Sequence, residues 1–218
     1  MNTRKLTLPI FEAIEACAAV LPHVATDPVT PVITVAHITG DTITATDRYT
    51  VGRFNLSQAL DEGSIALPLE AVKWLARFVT KHLLEDVRMV KRDTYTVTIE
   101  APEPTELKGP KAAGQSVTVS VESKNHGVEV LRKFRPVGGN FPPVGRLLDG
   151  HKPAEAAPTV ALGSEQLEKF TGYAKKWHRG HPLTFTLSAT DNPGKPGPVL
   201  IKIGEQFTGL LQPNLLLR

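Results

Sequence analysis

His178 and His181 stand three residues apart, a spacing at which two imidazoles can share a metal ion. Gly180 and Pro182 break any helix there, and no third ligand lies near in sequence, so no metal is expected. Asp47 beside Arg48 has the residue types of acid–base chemistry, but no second acid follows at a motif spacing. Cys17, the single cysteine, falls on the apolar stripe of a helix, where a core role outweighs a nucleophilic one. It can form neither an internal disulfide nor a cysteine zinc site. Gly138-Gly139 lies in a proline-rich stretch rather than between a strand and a helix, so it is not a phosphate loop. No constellation demands catalysis, and the chain is expected to be neither an enzyme nor a cofactor carrier.

The other chemistry on offer is charge. In the segment 69–84, Val72, Leu75, Phe78, Val79 and Leu83 form an apolar stripe, while Lys73, Arg77 and Lys81 recur every fourth residue on the opposite side. In 164–178, Leu167, Phe170, Ala174 and Trp177 face inward, and Lys169, Lys176 and Arg179 face away, with Lys175 nearby. A solvated helix face explains one such row. Two rows with few acidic neighbours suit a phosphate backbone better, because solvating surfaces mix signs. Neither row carries the stacking aromatics of a single-strand binder, so the expected contact is non-specific duplex DNA.

The elements that place these rows follow from periodicity. The 218 residues are 41% hydrophobic and 22% charged with a net charge of +3, the composition of one large globular domain or two small ones. No apolar run approaches the roughly 20 residues of a membrane span, and no signal peptide opens the chain, so a soluble cytoplasmic protein is expected. Helices are expected at 9–22, 69–84 and 164–178, each entered from a short strand. Strands are expected within 32–56 and at 86–92, 94–101, 116–122, 128–135, 183–189, 198–203 and 206–212. Segment 102–115 reads as a loop and 136–158 as a connector. The chain thus holds three copies of one unit, a short strand, a helix and antiparallel strands, which packs as α+β.

Three stretches then resemble a known family. Ala45-Thr46-Asp47-Arg48-Tyr49-Thr50-Val51 is similar to a strand and turn of bacterial sliding clamps, the β subunit of DNA polymerase III. Asn140-Phe141-Pro142-Pro143-Val144-Gly145-Arg146-Leu147-Leu148 resembles a stretch that ends a clamp domain, and Leu210-Leu211-Gln212-Pro213-Asn214-Leu215 resembles the clamp C-terminus. They occur in family order. The departures are Arg48 where the family has glycine, Thr50 where it has arginine, Pro143-Val144 in place of an aspartate and a tyrosine, and Gln212 and Asn214 in place of methionines.

The resemblance implies a DNA-clamp fold, with helices packed on antiparallel sheets. Residues 1–150 would form one complete clamp domain and 151–218 part of a second, a shortened relative of the kind a phage carries. It implies a homo-oligomeric ring of three or four chains around duplex DNA, with helices lining the hole, that serves as a polymerase processivity factor. Lys73, Arg77, Lys81, Lys169, Lys176 and Arg179 would then touch DNA. It also implies a cleft that captures short peptides of a polymerase and a clamp loader, lined by Thr46, Arg48, Tyr49, Thr50, Val51, Leu148, Gln212, Pro213, Asn214 and Leu215. The alternative is a non-encircling clamp-like partner or decoy that binds replication proteins.

Overall fold

Pro9 and Pro68 each end a strand and start a helix, and that repeated junction organises the fold. Both residues are extended, at φ −55°, ψ 139° and φ −61°, ψ 150°. Lacking an N–H, each ends its strand ladder and sits at the helix start, where a donor would be unpaired anyway. The computed structural model describes residues 3–78, 95–107, 114–123, 127–152, 160–189 and 196–214. Their order is β1 (Thr3–Pro9), α1 (Ile10–Val20), β2 (Val35–Thr39), β3 (Thr42–Thr46), β4 (Thr50–Asn55), β5 (Ile65–Pro68), α2 (Leu69–Ala76), β6 (Tyr95–Pro102), β7 (Val117–Ser123), β8 (Gly127–Phe134), α3 (Gly145–Asp149), α4 (Ser164–Trp177), β9 (Leu183–Leu187), β10 (Val199–Ile203) and β11 (Phe207–Leu211).

The strands form two antiparallel sheets, β1-β6-β7-β8 and β5-β2-β3-β4-β11-β10-β9. Each of the first two units lends its opening strand to the other's sheet: β1 pairs with β6, and β5 pairs with β2. Neither unit can therefore complete a sheet alone. The third unit, β9 to β11, joins by a five-pair ladder from Phe207↔Phe54 to Leu211↔Thr50.

Alternation along the larger sheet gives it two unlike faces. Ile38, Ile43, Ala45, Phe54, Ile65, Leu67, Ile201, Ile203 and Phe207 belong to one buried core with residues of all three long helices. The intervening positions, including His37, Thr39, Thr42, Thr44, Arg53 and Thr208, form the opposite, polar face. α1 buries Ala13, Ala16 and Ala19, whose small side chains let the helix lie close against α2 and β4.

Most elements lie where periodicity puts them, and the departures have local causes. The helix expected at 9–22 ends at Val20 and tightens into a 3₁₀ turn, Leu21–His23, as Pro22 interrupts it. α2 is described only to Ala76, and Val79, Lys81, Leu83 and the strand expected at 86–92 fall outside the described residues. The strand expected near 159–162 is a single bridge, Ala161 to Asn214. The stretch read as a connector contains α3, and Phe141 ahead of it stacks on His37 at 4.8 Å and 3°. That stacking fastens the segment to the polar sheet face. Among the described residues no helix is long and apolar enough to cross a membrane.

Candidate partner cleft and helical face

The apolar patch on the polar face of the larger sheet is built from three separate segments. Val51 on β4, Leu210 on β11 and Leu148 on α3 are buried together, with Val144 and Leu200 packed against them. Register explains the meeting: Val51 lies opposite Leu210, and Leu210 opposite Leu200. Val144 and Leu148 are four apart, so both meet the sheet from one side of α3 and its N-terminal flank. Tyr49 and Leu147 are exposed apolar side chains from the segments that form this patch.

The remaining expected cleft residues divide by role. The Tyr49 carbonyl accepts the Gln212 N–H at 3.0 Å, which extends the β4–β11 ladder to the cleft rim. Pro213 is buried, Gln212 and Asn214 are exposed, and Leu215 lies outside the described residues. Thr50 is no cleft wall: it is 1% exposed and points to the core side. Thr46 is also buried, and its hydroxyl donates to the Thr50 carbonyl at 2.8 Å.

Thr50 belongs to a buried relay. Asp47 Oδ1 accepts from Tyr49 N–H at 3.1 Å, Thr50 N–H at 2.7 Å and the Thr50 hydroxyl at 2.9 Å. Asp47 Oδ2 accepts from Lys169 of α4. Burial opposes the Asp47 charge, but the hydrogen bonds from Lys169 and Thr50 hold its carboxyl below the usual range. Because Thr50 Oγ1 gives its hydrogen to the carboxylate, it must accept from His23 Nδ1 at 2.9 Å. His23 therefore carries its proton on Nδ1, and its buried Nε2 has no protein partner among the described residues. Burial, and then the Lys169 charge, push the His23 imidazole down to about 3, against the opposing pull of Asp47.

Arg48 sits at φ 79°, the left-handed conformation that glycine adopts without penalty. Its guanidinium donates to the Thr30 hydroxyl in an exposed contact. Replacing Arg48 by glycine is expected to raise stability by about 0.5–1 kcal/mol, since relief of backbone strain exceeds the loss of one exposed hydrogen bond. Urea unfolding checks it through a higher midpoint at unchanged slope.

The basic residues lie on the helical side, and the two rows are less free of acid than the spacing implied. Lys73 pairs with Glu70 at 3.0 Å. Lys169 is turned toward Asp47, and its side chain is 26% exposed. Arg77, Lys176 and Arg179 are exposed. Arg77, Lys169 and Lys176 line one cleft of about 470 Å³ where α1, α2 and α4 converge, with Glu165 and Glu168 also on its walls. Lys81 lies outside the described residues. His178 is engaged by Tyr173, whose hydroxyl lies 3.0 Å from Nε2 and donates to Glu15 at 3.1 Å. Burial pushes the Cys17 thiol up to about 12, which suits a core residue.

Sequence reasoning passed over His23 and the opposed pair Gly52 and Gly209. Glycines inside strands are the available signal, because they mark a close approach of some other group.

No family model matches the chain, and no curated protein matches it in sequence. Solved structures do match. A DNA polymerase sliding clamp from Pseudomonas aeruginosa superposes with a TM-score of 0.64 at 12% identity, over 98% of this chain and 67% of that one. The C. crescentus β sliding clamp gives 0.60 at 11% identity, over 97% and 66%. The DNA polymerase III β subunit of Thermotoga maritima gives 0.54 at 12%, over 98% and 66%. The chain spans about two-thirds of the length of the structures it matches. Its fold, with the three long helices on one side of antiparallel sheets and opening strands exchanged between the first two units, is that of the bacterial sliding clamps.

Proposed function

We propose that this chain is a DNA-clamp processivity factor of the cytoplasm. It self-associates into a ring around duplex DNA and captures replication proteins through the Val51–Leu148–Leu210 cleft, with no chemistry of its own. Residues 1–150 serve as a complete clamp domain, and the chain from 151 onward as a partial one. The observation that carries this reading is the division of labour between the two sides of the larger sheet. Exposed Arg77, Lys176 and Arg179 belong to the helical side, and the apolar cleft is on the other. Lysines and arginines on such a wall contact phosphates without reading sequence, so affinity falls steeply with salt.

Light scattering on the protein with circular and linear DNA tests it. The expected result is a mass that is a multiple of 23.6 kDa, retained on circular DNA and lost on linearisation. Charge reversal at Arg77 and Lys176 is expected to abolish retention. A 23.6 kDa monomer that never loads replaces this reading with the non-encircling one.

A further inference from the structure

The apolar cleft has a basic neighbour on the same sheet face. Val51 and Arg53 are two apart on β4, so their side chains leave the same side of the sheet. Arg53 lies opposite Thr44 on one flank and Thr208 on the other, and Thr208 lies opposite Lys202. The polar row Thr44-Arg53-Thr208-Lys202 therefore runs beside the apolar row Thr46-Val51-Leu210-Leu200, one side-chain repeat away, or roughly 7 Å. Two cations on this row, on strands separated by one neighbour, lie roughly 10 Å apart at the backbone.

α3 divides the two rows. Leu148 joins the apolar cluster. Arg146 and Asp149 line a pocket of about 380 Å³ with Arg53, Thr44 and the His37–Phe141 stack. Arg53 donates from one terminal nitrogen to Asp149 at 2.7 Å. Its Nε is buried without an acceptor among the described residues. Arg146 and Lys202 are exposed. The pocket lining holds Arg53 and Arg146 with one carboxylate, Asp149, and exposed Lys202 stands on the same row as Arg53, so this face suits a ligand that brings negative charge.

Resting on the cleft reading above, we propose that the peptide held in the cleft carries aspartate or glutamate beside its apolar anchor. The anchor covers Val51 and Leu210, and the adjacent carboxylate is bound by Arg53 and Lys202. The basic row thereby selects among partners that share an apolar anchor. A lysine in place of the acid is rejected by like charge.

Fluorescence anisotropy tests this with three labelled synthetic peptides that share one Leu-Phe anchor, flanked by Asp-Asp, Ser-Ser or Lys-Lys. The Asp-Asp peptide is expected to bind about tenfold more tightly than the Ser-Ser peptide at low salt, with the advantage shrinking as salt rises. Lys202→Glu, at an exposed position, is expected to remove most of that advantage. Arg53→Met is expected to remove the rest. Equal binding of the Asp-Asp and Ser-Ser peptides, or a preference for Lys-Lys, overturns the acidic-flank proposal and leaves the cleft standing. If no peptide binds, the cleft reading falls and this proposal falls with it.

Discussion

Replacing Gly209 by alanine is expected to destabilise the protein by about 3 kcal/mol and to loosen the third unit from the first two. The new methyl would lie 2.4 Å from Phe170 Cε1 and 2.6 Å from the Val51 carbonyl oxygen. The ring has no room to turn aside, because Phe170 is fully buried and packs on His23 at 4.6 Å and Phe207 at 6.1 Å. The carbonyl has less freedom still, since it belongs to the β4 backbone that pairs with β11. Gly52, directly opposite Gly209, faces the same constraint: an added methyl would lie 2.4 Å from His23 Cδ2. The two glycines open a recess at the β4–β11 seam, and one ring from each side fills it. His23 comes from the 3₁₀ turn after α1, and Phe170 from α4. Among the described residues this seam combines a ladder, a ring pair and an ion pair between these units, so crowding here acts on their attachment. Gly172→Ala is the internal control. That position is exposed, lies within α4 and has nothing within 4 Å, so alanine is expected to raise stability by up to about 1 kcal/mol. Urea unfolding of the variants, with limited proteolysis of the α4–β11 region, measures both. A Gly209→Ala protein as stable as the parent would mean that the seam is not closely packed.

That seam also marks the limit of what could be read from the residues alone. Short strands and amphipathic helices were legible because alternation and four-residue repeats record which face is buried, as in β3 and α4. That Val51 and Leu148 share a neighbourhood is legible through their likeness to clamp stretches. Leu210 and Leu200 complete the cluster only through cross-strand register, which joins residues far apart in sequence and leaves no local trace. The direction of Lys169 escapes helical spacing for a related reason. Helical spacing places it on the outer row, but a lysine stem is long enough to reach Asp47, and a buried carboxylate attracts it. Thr50 stands where the family has an arginine, a position that would put it in the cleft. Its hydroxyl is instead held between Asp47 and His23, two partners that no spacing rule links. Arg48 shows the converse. A departure from the family glycine kept the glycine's backbone conformation, so the turn is imposed by the Asp47 hydrogen bonds around it and not by the residue that occupies it.

Acid is expected to weaken the fold well before the carboxylates titrate. His23 binds a proton near pH 6.5 in the unfolded chain but only near about 3 in the folded one. Between those values the unfolded state holds a proton that the native state refuses. Stability is therefore complete above pH 6.5 and falls as pH drops, by about 1.4 kcal/mol per unit and about 2 kcal/mol by pH 5. His37, also lowered chiefly by burial, adds to the loss in the same window. Asp47, whose folded value is likewise lowered, keeps its full stabilising effect above its unfolded value of 3.8 and adds to the loss only below it. The protonated ring cannot be accommodated cheaply. Its Nδ1 already donates to Thr50, a second proton on Nε2 would meet no acceptor, and Lys169 is close enough to repel it. His23→Asn keeps a short polar side chain at this position and removes the titration. It is expected to be less stable than the parent at pH 7, because it leaves space beside Phe170, yet to lose much less stability between pH 7 and 5. Urea unfolding at the two pH values separates the outcomes: if the variant loses as much as the parent, His23 is not the acid-sensitive group. Because the same relay holds the Asp47 turn at the cleft and Lys169 on α4, its loss at low pH is expected to release the cleft rim and the third unit together.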